Sequence, residues 1–158
     1  MKISNQAMNR LLSINWFYNV GKEINVPNST LVENYADVNE YISSPEWEYV
    51  TLEESNEISG FLAQKYSDIY QYWNDLAIDA KSFINNEVIK NLPEIDGVDP
   101  VLLSQCVRWD LMHYLIEDTY KKKLIKPLFF AGLVDIYEKG HLPCGWDGEW
   151  PNGNIIIY

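Results

Sequence analysis

Two residues able to do covalent chemistry sit close together near the C-terminal end: His141 and Cys144, spaced His-x-x-Cys between Gly140 and Gly145. A thiol with a lowered pKa and an imidazole base within reach is a nucleophile, so the pair defines one candidate chemistry, a small cysteine-dependent enzyme. As metal ligands they form half a site, because zinc needs three or four ligands and the remaining Cys106 and His113 lie far upstream. The third reading is structural. Pro143, Gly145, Gly148, Pro151 and Gly153 force the chain through turns, while Trp146 and Trp150 cover the end of a core. Three residues of separation across a proline does not by itself orient a thiol toward an imidazole, so the structural reading leads.

Asp110 and His113 form an Asp-x-x-His pair that is distantly like the carboxylate–histidine pairs of di-iron bundles. Those bundles need a second such pair and further carboxylates. The chain has only two histidines, so His113 reads as a core histidine held by a hydrogen bond. No GxxxxGK[ST], GxGxxG or GxSxG pattern occurs. The segment Glu94-Ile95-Asp96-Gly97-Val98-Asp99 lacks the ligand spacing and closing glutamate of a calcium loop. No catalytic residue, metal or cofactor is expected.

Charge points to a binding chemistry instead. The 158 residues carry 12 Lys+Arg against 23 Asp+Glu, a formal net charge of -11. The excess is local: residues 1–22 sum to +3, whereas residues 23–64 hold nine acids and no Lys or Arg. Such a block cannot neutralise itself by pairs at helical spacing, and it projects a negative field unless the Lys121 to Lys126 cluster folds against it. Direct binding of nucleic acid is excluded on charge grounds, since a polyanion needs clustered cations. A basic protein partner suits this surface.

Within the block, Glu46, Glu48, Glu53, Glu54 and Glu57 place five carboxylates around Trp47 and Tyr49. Aromatic rings supply buried area and carboxylates supply register against Arg or Lys, so these seven residues are the candidate partner-binding set. Two readings stay open here: a docking face, or solvated glutamates above aromatics that pack under the next helix. The Asp75 and Asp79 face is the next choice.

The elements that must position these residues are mostly helical. Ile3, Ala7, Leu11, Ile14 and Tyr18 recur at steps of three and four, with Gly21 placed as a left-handed terminator, which predicts a helix over about 4–20. Val38, Tyr41 and Ile42 mark a short helix stopped at Ser44-Pro45, and residues 46–50 have extended character. Thr51 and Glu54 form a capping box that opens a helix with Ile58, Phe61 and Leu62 inward. A longer helix follows, with Leu76, Ala80, Phe83 and Ile84 on its inner stripe and Pro93 at its end. Asp99 as N-cap and Pro100 at the first helical position start a helix to about Tyr120, apolar on more than one face and therefore central. A last helix spans about 127–139, closed by Gly140. Asp147-Gly148 and Asn152-Gly153 then lead into Ile155-Ile156-Ile157, a hairpin pattern. The expectation is mainly α: a single domain over 1–158, a bundle of about five to six helices with a small C-terminal β-hairpin at 140–158.

A chain of this length can bury roughly 70% of its unfolded surface. With 47% apolar and 22% charged residues it has the composition of a globular domain rather than a disordered one. The first residues show no continuous apolar run, so neither a signal peptide nor a membrane anchor is read there. Two cysteines without a secretory signal read as reduced thiols, and the expected compartment is the cytoplasm. Oligomeric state is not written in the composition.

The segment from Gly140 to Gly153, GHLPCGWDGEWPNG, closing on an aliphatic run and Tyr158, resembles a C-terminal signature of small acidic bacterial immunity proteins. These are antitoxins that accompany polymorphic or contact-dependent growth-inhibition toxins. Gly140, His141, Pro143, Cys144, Gly145 and Trp146 match the signature as such, for structural reasons. The resemblance implies a cytoplasmic, non-enzymatic inhibitor that binds a toxin domain, and it carries over no binding residue. An acidic adaptor protein and the Cys144/His141 enzyme are the alternatives.

Overall fold

The computed structural model describes residues 2–17, 29–31, 38, 76–120, 129–148 and 153–158. The whole partner-binding set from Glu46 to Glu57, the capping box at Thr51, the short helix after Val38, Asp75, Trp150 and the Lys121 to Lys126 cluster lie outside the described residues. Within them the chain is mainly helical and closes on an antiparallel hairpin.

Helix α1 covers Asn5–Leu12. Its N-cap Ser4 accepts the Ala7 amide at 3.3 Å, and the Ser4 amide donates to Thr119 Oγ1 at 3.0 Å. The helix ends eight residues before the expected 20. The Ser13 hydroxyl donates to the Arg10 carbonyl at 2.7 Å, a local bond that competes with helix continuation. Phe17 then takes φ 52, which no residue of an α-helix can hold. What holds Phe17 there is aromatic packing: its ring meets Trp16 at 6.1 Å and Tyr137 at 6.0 Å. Leu12, beside the predicted stripe, is exposed.

Helix α2, described over 76–83, buries Leu76 and Ala80 as the stripe predicts. It widens into a π-turn at Ile84–Val88 and tightens into a 3-10 turn at Ile89–Asn91. Leu92 is extended at ψ 137, as the residue before a proline should be. Gly97, at φ 79, closes the turn before the next helix.

Helix α3 runs over Pro100–Tyr120. Asp99 Oδ1 accepts the Val101 amide at 2.7 Å, the N-cap expected from the sequence. Every residue from Asp110 to Ile116 is buried, so α3 is central, with neighbours on all sides. Helix α4, Phe129–Glu138, joins the α3 core through Val134 and Tyr137, while Leu133 and Ile136 pack with Ile157 near the C-terminal end. Gly140 at φ 81 ends α4: its amide donates to the Tyr137 carbonyl and that of His141 to the Ile136 carbonyl, the paired bonds of a Schellman motif.

The hairpin is β2, Pro143–Asp147, against β3, Asn154–Ile157. A third strand corrects the two-stranded expectation. Strand β1, Ser29–Leu31, pairs parallel with β3, giving the order β1-β3-β2.

Two substitutions test these helix rules. Gly132 is exposed inside α4, and a Cβ there meets no described atom within 4 Å. Gly132→Ala should stabilise the protein by about 0.5–1 kcal/mol in a denaturant titration. Asp99→Ala, which orphans the first amides of α3, should cost about 1 kcal/mol in the same measurement.

Candidate functional site

The His141 to Cys144 segment folds inward. Pairing of β2 with β3 skips from Pro143↔Ile157 to Gly145↔Ile156, so Cys144 is the extra residue of a β-bulge. Its side chain is 0% exposed, and Sγ–H donates to the Ile156 carbonyl at 3.4 Å. His141 is also 0% exposed, with Nδ1 at 3.1 Å from the Tyr158 carbonyl oxygen. A carbonyl can only accept, so Nδ1 carries the proton and the imidazole is the Nε2-basic tautomer. Burial pushes its pKa down, which keeps the ring neutral.

The thiol proton and the ring proton are therefore both directed at the hairpin backbone. Leu142 and Tyr158 add two more backbone bonds of 2.9 Å each, so residues 141–144 lace α4's exit to the end of β3. Trp146 completes the arrangement. Its indole lies over Gly153 so closely that a Cβ on Gly153 would fall 2.7 Å from Cε2 and nearer still to Nε1 and to the Asp147 carbonyl. Pro143 and Gly145 are buried in β2, and Gly140 is the helix terminator described above. All six signature residues thus have structural duties in this geometry.

Asp110 and His113 are both in the core, 2% and 7% exposed. Asp110 accepts the Tyr137 hydroxyl at 2.6 Å in fully buried surroundings. His113 lies between rings, 4.2 Å from Trp109 and 4.8 Å from Phe130, and burial pushes its pKa down to about 4. Among the described residues, no group of three or more His, Cys, Asp or Glu is arranged to hold a metal ion.

Sequence reasoning missed two members of this seam. Glu117 accepts the Phe130 amide at the start of α4, and burial pushes its carboxyl up to about 7. Tyr137 reaches back to Asp110 from the other end of α4. The available signal was spacing: Cys106, Asp110, His113 and Glu117 recur at steps of four, three and four, one stripe along α3. Cys106 and Cys144 are both free thiols.

Two further polar features are exposed. Arg10 joins α1 to α4, with Nε at 2.6 Å from Glu138, an ion pair to Asp135, and its guanidinium 5.4 Å from the Tyr114 ring. Asp79, on the alternative acidic face, lines an open cleft between α1 and α2 together with Lys2 and Glu87. No described helix is long and apolar enough to cross a membrane.

A structural role for the signature predicts that Gly153→Ala unfolds the hairpin, lowering Tm by several degrees, because the Cβ collides with backbone that cannot move aside. Cys144 in the native protein should react with a thiol reagent orders of magnitude more slowly than free cysteine and catch up on denaturation. Labelling at the free-cysteine rate would mean an accessible, reactive thiol instead. These features are read from the chain's own chemistry, since no family model, curated protein or solved structure matches it.

Proposed function

We propose that this protein is an immunity protein that acts in the cytoplasm, binding and neutralising a cognate basic toxin domain, a nuclease being the class whose charge fits best. The observation that carries the reading is the run of nine acids without one Lys or Arg over residues 23–64. A domain that cleaves RNA or DNA must be cationic where its substrate sits, and carboxylates can occupy that site in place of phosphates. Complementary charge also speeds capture, which matters when few toxin molecules suffice to kill.

On this reading the binding surface is Glu46, Trp47, Glu48, Tyr49, Glu53, Glu54 and Glu57, carried on further helices of a bundle of about five to six. The engaged, buried state of Cys144 and His141 supports a binding role over thiol chemistry at the signature. The resemblance of residues 140–153 to the immunity signature points the same way.

Co-expression with the protein encoded immediately upstream tests the proposal. The neighbour alone should arrest growth and the pair should not; a harmless neighbour, or one whose toxicity persists, overturns the reading, and a non-toxic partner that still binds would indicate an acidic adaptor. A Glu53→Lys, Glu57→Lys double variant should associate about 10- to 100-fold more slowly at low salt, with a flatter salt dependence, while its circular dichroism is unchanged. An unchanged association rate would move the docking surface elsewhere.

A further inference from the structure

The seam between α3 and α4 contains an arrangement that the proposed partner does not need. Asp110 sits in the core, and among the described residues its one hydrogen bond is from Tyr137. No described cation faces it: Arg10 is engaged by Asp135, Glu138 and the Tyr114 ring, and Arg108 Nε donates to Asn85 Oδ1 at 2.8 Å. One turn either side along the same stripe stand Cys106 and His113, and Glu117 lies beyond, at the first amides of α4. Both ends of α4 are thus fastened to α3 through a carboxyl group, Asp110 buried and Glu117 partly so, and a carboxylate shielded from water with no described cation beside it is costly to ionise.

We infer that the α3–α4 seam is a proton-operated latch: protonated carboxyls at Asp110 and Glu117 hold α4 closed on α3, and their ionisation loosens it as the pH rises from acidic to neutral. The energetics agree with the geometry. Burial pushes Asp110 up to about 7, as it does Glu117, while the Tyr137 hydroxyl bond pulls Asp110 back only in part. Among the described residues, two further titratable groups adjoin Asp110, and both are shifted toward their neutral forms. Cys106 is pushed up to about 12 by burial and by Asp110, and Tyr137 is raised well above its usual value by burial, with Asp110, Cys106 and the Cys144 thiol of β2 adding to the shift.

The sign follows from proton counting. Between the ordinary carboxylate range and neutrality, the closed seam holds one more proton than the open seam at Asp110 and one more at Glu117. His113 opposes them, being neutral when closed and protonated when released below its ordinary pKa. The balance is one proton, so the open population should rise about tenfold per pH unit between roughly pH 4.5 and 6.5, and level off above pH 7.

Amide hydrogen exchange of α4 in the full chain, corrected for intrinsic exchange rates, reads that population directly. Asp110→Asn keeps an acceptor for Tyr137 and should flatten the dependence, since Glu117 and His113 then cancel. Asp110→Asn with Glu117→Gln should reverse its sign, leaving His113 alone. A flat wild-type profile, or a slope that survives Asp110→Asn, overturns the latch. If the variants do not fold, the wild-type protein decides: the carboxyl carbon of Asp110, followed by NMR, should titrate near 7, and a midpoint in the ordinary carboxylate range overturns the latch.

Discussion

A helix that is apolar all round must be covered all round, and α3 imposes that condition on everything else described. From Asp110 to Ile116 every residue is buried. The stabilisation from burying Leu111, Leu115 and Ile116 is of the order of 1.5–3 kcal/mol each, and it is available only if helices close over every face. Helix α1 is held against α3 by the Ser4–Thr119 bond, α2 by Arg108 to Asn85, and α4 by the Tyr137–Asp110 and Phe130–Glu117 contacts.

The polar members of that core have a different standing from the apolar ones. Replacing a buried carboxyl with a hydrocarbon of similar shape is often neutral or stabilising, so Asp110 is not needed merely to fill space. What a hydroxyl–carboxyl pair adds is register, because Tyr137 can meet Asp110 in only one placement of α4 along α3. Aromatic packing extends the same anchor outward: Trp16, whose ring is 5.5 Å from that of Tyr137, draws the chain away from helix α1 and over the seam. One tyrosine therefore sets the seat of α4 and the path of the segment after α1.

At the other end of α4 the hairpin acts as a clasp. The Schellman turn at Gly140 hands the chain to His141 and Cys144, whose protons go to backbone carbonyls of the neighbouring strand. An order of Gly, His, Pro, Cys, Gly and Trp that looks like a reaction centre in one dimension is a β-bulge with its two polar side chains turned inward. Neither His141 nor Cys144 presents its reactive atom to solvent.

Features set by local chemistry were legible in the chain itself. The Asp99-Pro100 start of α3, the Gly140 stop of α4, the break at Pro93 and the hairpin pattern after Gly148 each rest on the conformational limits of one or two residues. The centrality of α3 was legible too, because apolar residues on several faces leave a helix nowhere to go but inside. The end of α1 was not, since the left-handed backbone of Phe17 accompanies packing of its ring on Tyr137 of a distant helix. Strand β1 was equally hidden: Ser29, Thr30 and Leu31 carry no strand pattern, and their partner Ile155 to Ile157 arrives from the far end of the chain. The pairing of Asp110 with Tyr137 and of Glu117 with Phe130 belongs to the same class. The sequence supplied the carboxyls and their spacing along α3, but a partner on another helix, and the dry surroundings that change a carboxyl's proton affinity, exist only once tertiary packing has excluded water.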